Sequence, residues 1–547
     1  MRKLSFIGLL LLMIGMASMC FTPQVAAKSD ESFEVTVGIE GDVLSFDPYV
    51  YDETISNAIC DHVYEALVLT DRNLQSVPGL AESWEISDDL LTWTFHLRKD
   101  VKFHNGNQFT ADDVIFSFDR AKEPYSKYSQ VLGLVKDYKK LDDYTVAVNF
   151  TSPDVTFLSR IRILSILDKE SFEGKDEGYV ALHPNGTGKY KLAEYVREDR
   201  IVFTRNEDYW GEKPQVTKVI YKPITNDATR TANILSGNVD LIVNVPVRDV
   251  DRLRKNPDLN IIQQPGLRVI YLNYAGWTDN PSPDTKYPII SPKGDNPFKS
   301  LKVRQAMRHA INIDEIVERI MNGFATPTAT YCPEFFVGYN PDIKIPEYNP
   351  ELAKKLLDEA GYPVQDSGQL KGYRFQVTLD APNDRYVNDA QVAQAIAGYL
   401  EKVGIKVYLN LMSRNVFFTY IRTSNPMGDV THFLMTGWAD SSGEGVTKAL
   451  DLLYSYDQTG PVKEGFGDVN RGYYKNPEVD RLIDEALATM DVDKRAELVR
   501  KVWEIAHNDV AYIPLYFEHD IFAARKNIMY HPMPNKYVYA WDIEIVK

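Results

Sequence analysis

The run VAQAIAGYLEKVG, residues 392–404, passes directly into IKVYLNL, residues 405–411, and that change of period at Gly404 leaves the chain few architectures. Apolar residues three and four apart predict a helix, strict alternation predicts a half-buried strand, and a glycine between them stops the helix. This is the repeating step of an α/β sheet. Asn349-Pro350 precedes Leu352, Leu356, Leu357 and Ala360 and closes on Gly361, and Asn476-Pro477 precedes Val479, Leu482, Ile483 and Ala486. Both predict helices with an asparagine cap and a proline in the first turn. Thr110 and Asp113 have the spacing of a capping box before Val114 and Phe118. LTWTFHLR (91–98) and YTVAVNF (144–150) alternate as strands do. Residues 271–301 are dense in Pro, Gly, Asp and Asn, which predicts a long surface loop and a lobe boundary near residue 290.

The chain opens Met1-Arg2-Lys3, runs apolar from Leu4 to Ala17 and reaches Val25-Ala26-Ala27. This is the pattern of a secretory signal peptide, residues 1–27, cleaved after Ala27. Cys20 invites a lipoprotein reading, but Met19 stands where a small residue is needed. Release as a soluble protein, periplasmic or extracellular, is therefore favoured. No later segment reaches the ~18 uninterrupted apolar residues of a membrane span. Cys60 and Cys332 then allow one disulfide at most, so a core rather than a disulfide scaffold must hold the fold. The formal charge is −16, and losing Arg2 and Lys3 makes it two units more negative. Polyanions are repelled, which argues against a nucleic-acid partner.

Signatures of the common enzyme classes are missing: no Gly-x-Ser-x-Gly elbow, His-Glu-x-x-His pair or phosphate loop occurs. Nine scattered histidines lack metal-site spacing, and DSSGE (440–444) lacks the carboxylates of a calcium loop, so neither metal nor cofactor is expected. His62, in ICDHVYEAL, reads as a helix residue satisfied by surface or backbone groups. Aromatic residues make up 12% of the chain and can either fill a core or line a cleft.

Several blocks, in order, carry a family likeness: residues 81–120, NGTGKYKL (185–192), RNEDYWGEKP (205–214), RTANILSGNVDLI (230–242), residues 296–317, 348–363 and 476–499. The chain resembles the extracellular solute-binding proteins of the oligopeptide-, dipeptide- and nickel-binding class, family 5. The resemblance implies an α/β, two-lobed periplasmic-binding-protein fold, type II-like, with an extra subdomain in lobe I and the ligand in the interlobe cleft. Expected spans are 28–76, 190–290 and 515–547 for lobe I, 77–189 for the subdomain and 291–514 for lobe II. It also implies a monomer that closes on a di- or oligopeptide and delivers it to a membrane permease driven by ATPase subunits. Binders of oligosaccharide, nickel complexes, haem or opines share the fold, and a secreted hydrolase or a surface sensing protein are the readings from other classes.

TGWADSSGEG (436–445) is similar to the block in which a Gly-Trp pair precedes a loop aspartate that meets a peptide's ammonium group. Here Asp440 comes one residue early, and Glu444-Gly445 replaces the usual proline ending. Asp440 is thus a candidate anchor or an Asx turn former; Trp438 is a candidate cleft wall, with Ser441 beside them. Asn273, Thr187 between Gly186 and Gly188, and Arg304 are further ligand-binding candidates. Their structural alternatives are a strand-end hydrogen bond, a tight turn and an ion pair at a helix start.

Overall fold

In a computed structural model the described residues are 32–278, 288–421, 433–457, 460–463, 465–467 and 469–546. The leader with its cleavage site and Cys20 lies outside them, as do residues 279–287 of the loop expected at 271–301.

The largest sheet among the described residues has eleven strands. Its order runs Ile405–Met412, Phe375–Pro382, Phe433–Trp438, Leu259–Tyr274, Ile513–Arg525, Leu241–Ile242, Glu34–Ile39, Lys218–Pro223, Arg200–Arg205 and Tyr190–Val196, with Ala325–Pro327 beside Ile513–Arg525. Two long antiparallel strands, Leu259–Tyr274 and Ile513–Arg525, belong to both lobes. Their pairing runs from Leu259↔Arg525 to Pro265↔His519, then slips and resumes at Val269↔Phe517. Extra residues in one strand bend it and break the ladder, so the crossing is where the sheet can flex. The bulge at Pro265–Val269 lies opposite the stretch around Glu518.

On either side of the bulge the cores separate. Val35, Val37, Phe203, Tyr221 and Phe522 pack together in lobe I, whereas Leu272, Met307, Leu379, Ile396 and Met435 form a distinct core in lobe II. A four-stranded antiparallel sheet, Ala81–Ile86, Thr92–Leu97, Thr145–Phe150 and Val135–Asp142, makes the extra subdomain. Its Trp93, Phe95, Val114 and Phe118 join the lobe I core, so the subdomain leans on lobe I. Each such buried side chain is worth about 1.5–3 kcal/mol.

Local signals landed close to expectation. Asn349 caps Pro350–Glu359 by accepting from the Leu352 amide, and Gly361 takes φ +81°, the left-handed stop that glycine adopts cheaply. Asn476 caps Pro477–Leu487 in the same way through Glu478, and the Thr110–Asp113 capping box is formed. His62 departs from expectation. The helix there is Thr54–Cys60 and ends before it, and the imidazole is fully buried.

Candidate ligand-binding site

Three neighbouring strands of lobe II run parallel. Phe375–Pro382 pairs with Ile405–Met412 from Phe375↔Ile405 to Pro382↔Met412, and with Phe433–Trp438 at Asp380↔Leu434. Parallel strands release their following loops at one edge of the sheet, the edge where α/β proteins place ligand sites. The residues just past those three ends are Arg385, Arg414 and Asp440. All three line a cleft of about 1430 Å³ whose other walls come from the crossing strands and lobe I.

A tyrosine fixes the spacing of these groups. The Gly437 amide donates to the Tyr386 hydroxyl (2.8 Å), which lies 3.2 Å from the Gly437 carbonyl and from Thr436 Oγ1. A Cβ on Gly437 would stand 2.9 Å from the Tyr386 ring and 2.8 Å from Ile270 Cδ1. The glycine of the Gly-Trp pair is thus required by this close approach. Trp438 follows, half-buried against the lobe II core and forming part of the cleft wall, and its indole N–H has no acceptor. Thr447 Oγ1, also on the cleft, is likewise unpartnered.

Asp440 uses one oxygen for the Ser442 amide (2.8 Å) and the other for the Ser442 hydroxyl (2.6 Å). That is an Asx turn, yet it leaves lone pairs on a half-buried carboxylate facing the cleft. Ser441 does something else: its carbonyl and hydroxyl accept from Arg162 of lobe I, which also donates to Thr70 Oγ1 (3.0 Å). With the Val155 amide on the Leu487 carbonyl (3.1 Å), this ties the two lobes together. Glu444, the acidic residue of the Glu444-Gly445 ending that replaces the usual Asp/Glu-Pro, pairs with buried Arg495 through both oxygens (2.9 and 3.1 Å). Gly445 sits where a Cβ would meet the Val337 carbonyl at 2.6 Å. The loop's departure is therefore a structural clamp.

Opposite in sign, the Arg268 and Arg385 guanidiniums flank the Tyr386 ring, 5.9 and 5.5 Å from its centroid. Burial holds the Arg385 guanidinium below its usual range, and the charges of Arg268 and Arg414 add to this. Sequence reading missed this cluster. Its signal was the polar run NDRYVND, residues 383–389, directly after the strand Phe375–Pro382.

Three candidates lie elsewhere. Thr187 is fully buried and donates to Glu65 (2.9 Å), while Cβ atoms on Gly186 and Gly188 would meet the Val63 and His62 carbonyls at 2.1 and 2.5 Å. Its loop is pressed onto the backbone of lobe I and does not reach the cleft. Asn273 shares the strand face of Tyr271, which packs edge-on to Tyr331 and Tyr512, and Gly472 covers it. Arg304 spends its donors on the carbonyls of Asp509, Phe298 and Lys299 and stacks on Trp277. It is a structural cation held by carbonyl dipoles and not by the expected ion pair.

His62 lies among Phe203, Tyr221 and Trp541, with Nδ1 on the Ala58 carbonyl (2.8 Å) and Nε2 accepting from the Ala540 amide (3.2 Å). Burial pushes its pKa down to about 3, so it is a neutral core residue. Cys60 and Cys332 are free, in separate cores. Among the described residues, Asp113, Asp168 and Glu170 group closely, but Asp168 is held by the amides of Asn105, Asn107 and Asn185 and the group lies in the subdomain. A second cavity of about 870 Å³ meets the cleft at Asn57, Tyr128, Ser441 and Tyr537.

The family described as bacterial extracellular solute-binding proteins, family 5, middle region, matches residues 75–459. Heme-binding protein A of Haemophilus influenzae is 30% identical over 524 residues, which cover 90% of this chain and 89% of that protein. The dipeptide-binding protein of Escherichia coli is 29% identical over 528 residues, 92% and 91% of the two chains. Among solved structures, a periplasmic binding protein of Helicobacter pylori in complex with the peptide STSA superposes with a TM-score of 0.73 at 27% identity, covering 94% of this chain and 99% of that one.

Proposed function

Since the chain belongs to the bacterial extracellular solute-binding proteins of family 5, we propose that it captures peptides in the interlobe cleft for an ATP-driven importer. Asp440 meets the ammonium end, Arg385 and Arg268 meet the carboxylate end, and Trp438 and Tyr386 wall the space between. The observation that supports this most is the opposite polarity of two groups held at fixed spacing by the Gly437–Tyr386 hydrogen bond. A zwitterion of extended form satisfies both poles, and charge-assisted bonds in a partly desolvated cleft are the strong ones. Dipeptide binding in one relative and peptide binding in one structural neighbour agree with it. Haem, named for another relative, fits less well. Among the described residues the cleft's one imidazole is His519, and both its nitrogens are engaged, by Gln263 (2.8 Å) and Thr326 (2.7 Å).

Closure is rotation at the bulge, with lobe I ending at Pro265 and resuming near Asp520. Contacts such as Arg162 to Ser441 exist only when the lobes meet, so a ligand touching both lobes shifts the population toward the closed form. The chain works as an exported monomer released after Ala27, binds without chemical turnover, and presents its closed shape to a permease with ATPase subunits. Calorimetric titration with trialanine and its N-acetyl and C-amide forms tests the reading. Each cap is expected to weaken binding by roughly tenfold or more; equal affinities for all three would overturn it.

A further inference from the structure

Three arginines of the cleft, Arg268, Arg385 and Arg414, differ from the arginines that hold structure, among which Arg230 lines the same cleft. Arg230 donates to the carbonyls of Ile224, Val243 and Asn244; Arg374 donates to those of Val403 and Tyr362 and to Asp358; Arg495 donates to Glu444 and two carbonyls. By contrast, among the described residues no acceptor lies within hydrogen-bonding distance of the Arg268, Arg385 or Arg414 guanidinium. The carboxylates around them are already committed. Asp389 accepts the amides of Arg385, Tyr386 and Ala390; Asp384 Oδ1 accepts the Arg414 amide; Glu518 Oε1 accepts the Val387 amide, and its Oε2 stands 3.9 Å from Arg268.

These three guanidiniums thus face the same cleft with their forks unfilled, Glu518 Oε2 standing 3.9 Å from Arg268. A guanidinium offers five donors in a planar fork that matches a carboxylate face to face. One carboxylate from a ligand occupies one fork and leaves two cations repelling each other in a partly desolvated place. We propose that this pole reads two carboxylates, so that the preferred ligand is an acidic peptide whose terminal carboxylate is joined by that of a C-terminal glutamate or aspartate side chain. The inference rests on the peptide reading above and sharpens its ligand class. Arg385 and Arg268, sharing the Tyr386 ring, hold the first carboxylate. Arg414, exposed at the end of the adjacent parallel strand, holds the second.

The test is calorimetric titration of the purified full-length mature chain with Ala-Ala-Glu and Ala-Ala-Gln, which differ in that one charge. The glutamate peptide is expected to bind about tenfold tighter or more, with the gap shrinking as salt is raised. Arg414→Gln is expected to narrow the ratio of the two affinities, whereas Arg385→Gln is expected to weaken both peptides and leave their ratio nearly unchanged. Thermal unfolding of each variant checks that it is folded. Equal affinities for the two peptides, or a ratio untouched by Arg414→Gln, overturns the inference while peptide binding stands. Failure of both peptides to bind overturns the peptide reading itself.

Discussion

Two glycine-framed loops look alike in the sequence and do opposite work. Gly186-Thr187-Gly188 and Gly437-Trp438 both owe their glycines to close approach, but the first abuts main chain and the second abuts side chains. Around the first, the loop is bonded to its own lobe: the Gly188 amide donates to the Val63 carbonyl (2.8 Å), the His104 amide to the Gly186 carbonyl (2.8 Å), and Thr187 to Glu65. Around the second, among the described residues, the Trp438 indole and the Thr447 hydroxyl lack partners, and Arg268 stands 3.9 Å from the Glu518 carboxylate. A sealed loop of satisfied groups stabilises a lobe. A rigid loop with unsatisfied groups at a cleft is ready to receive a ligand, because buried polar groups without partners are costly unless something supplies them.

Alanine at the two kinds of glycine breaks the comparison most sharply. Gly186→Ala puts a methyl group against an immovable carbonyl, and the expected loss is about 3 kcal/mol or more of lobe I stability. Gly437→Ala pushes on a tyrosine ring and an isoleucine methyl, which can give; about 1–2 kcal/mol is expected. Its larger consequence is functional, because moving Tyr386 displaces the platform of Arg268 and Arg385. Urea unfolding and peptide titration of both variants check this. The contrast is lost if Gly186→Ala abolishes binding in a folded protein while Gly437→Ala leaves it intact.

Legibility follows the same divide. Caps, stops and period changes are local, so the helices at 350, 477 and 111 and the strands at 92, 145 and 405 were readable within a few residues. The bulge at Pro265–Val269 was not, because it is a mismatch between two strands some 250 residues apart and neither strand shows it alone. The arginine cluster draws on positions 268, 385 and 414, which only the fold brings to one cleft, whereas Arg304 donates to backbone carbonyls and the Asn273 side chain is buried with no partner among the described residues. Asp440 was visible as both anchor and turn former, and its turn is formed.

The sealed lobe makes a second claim, through pH. His62 has a folded pKa near 3, against about 6.5 for an unfolded chain. Between these values the unfolded state takes up a proton that the folded state refuses, so this residue's contribution to stability falls as pH falls. Asp61 and Asp542, pushed by burial up to about 6 and about 7, act in reverse: their contribution is present at low pH and fades as pH rises through those values. The wild-type profile is therefore flattened, and the substitution isolates the histidine. The cost of His62→Gln is expected to be largest at pH 7 and to shrink by about 1 kcal/mol per pH unit between pH 6 and 4. Urea unfolding at three pH values reads it; a cost independent of pH would mean that the imidazole takes a proton in the folded lobe.

The smallest stability effect is expected at Asp440, and it is the one that separates the two roles of the open loop. Asparagine keeps an oxygen for the Ser442 amide and so keeps the Asx turn. What it loses is charge. The Ser442 hydroxyl, now facing an amide oxygen or nitrogen, can rotate to the Glu444 carbonyl 3.2 Å away, so no donor is stranded. Asp440→Asn is therefore expected to change unfolding stability by less than about 0.5 kcal/mol while weakening a free-amine peptide by roughly tenfold to a hundredfold. An N-acetyl peptide, having no ammonium, should bind wild type and variant alike. If both peptides lose affinity equally, Asp440 acts through the shape of its loop, and the open loop is then a scaffold of the same kind as the sealed one.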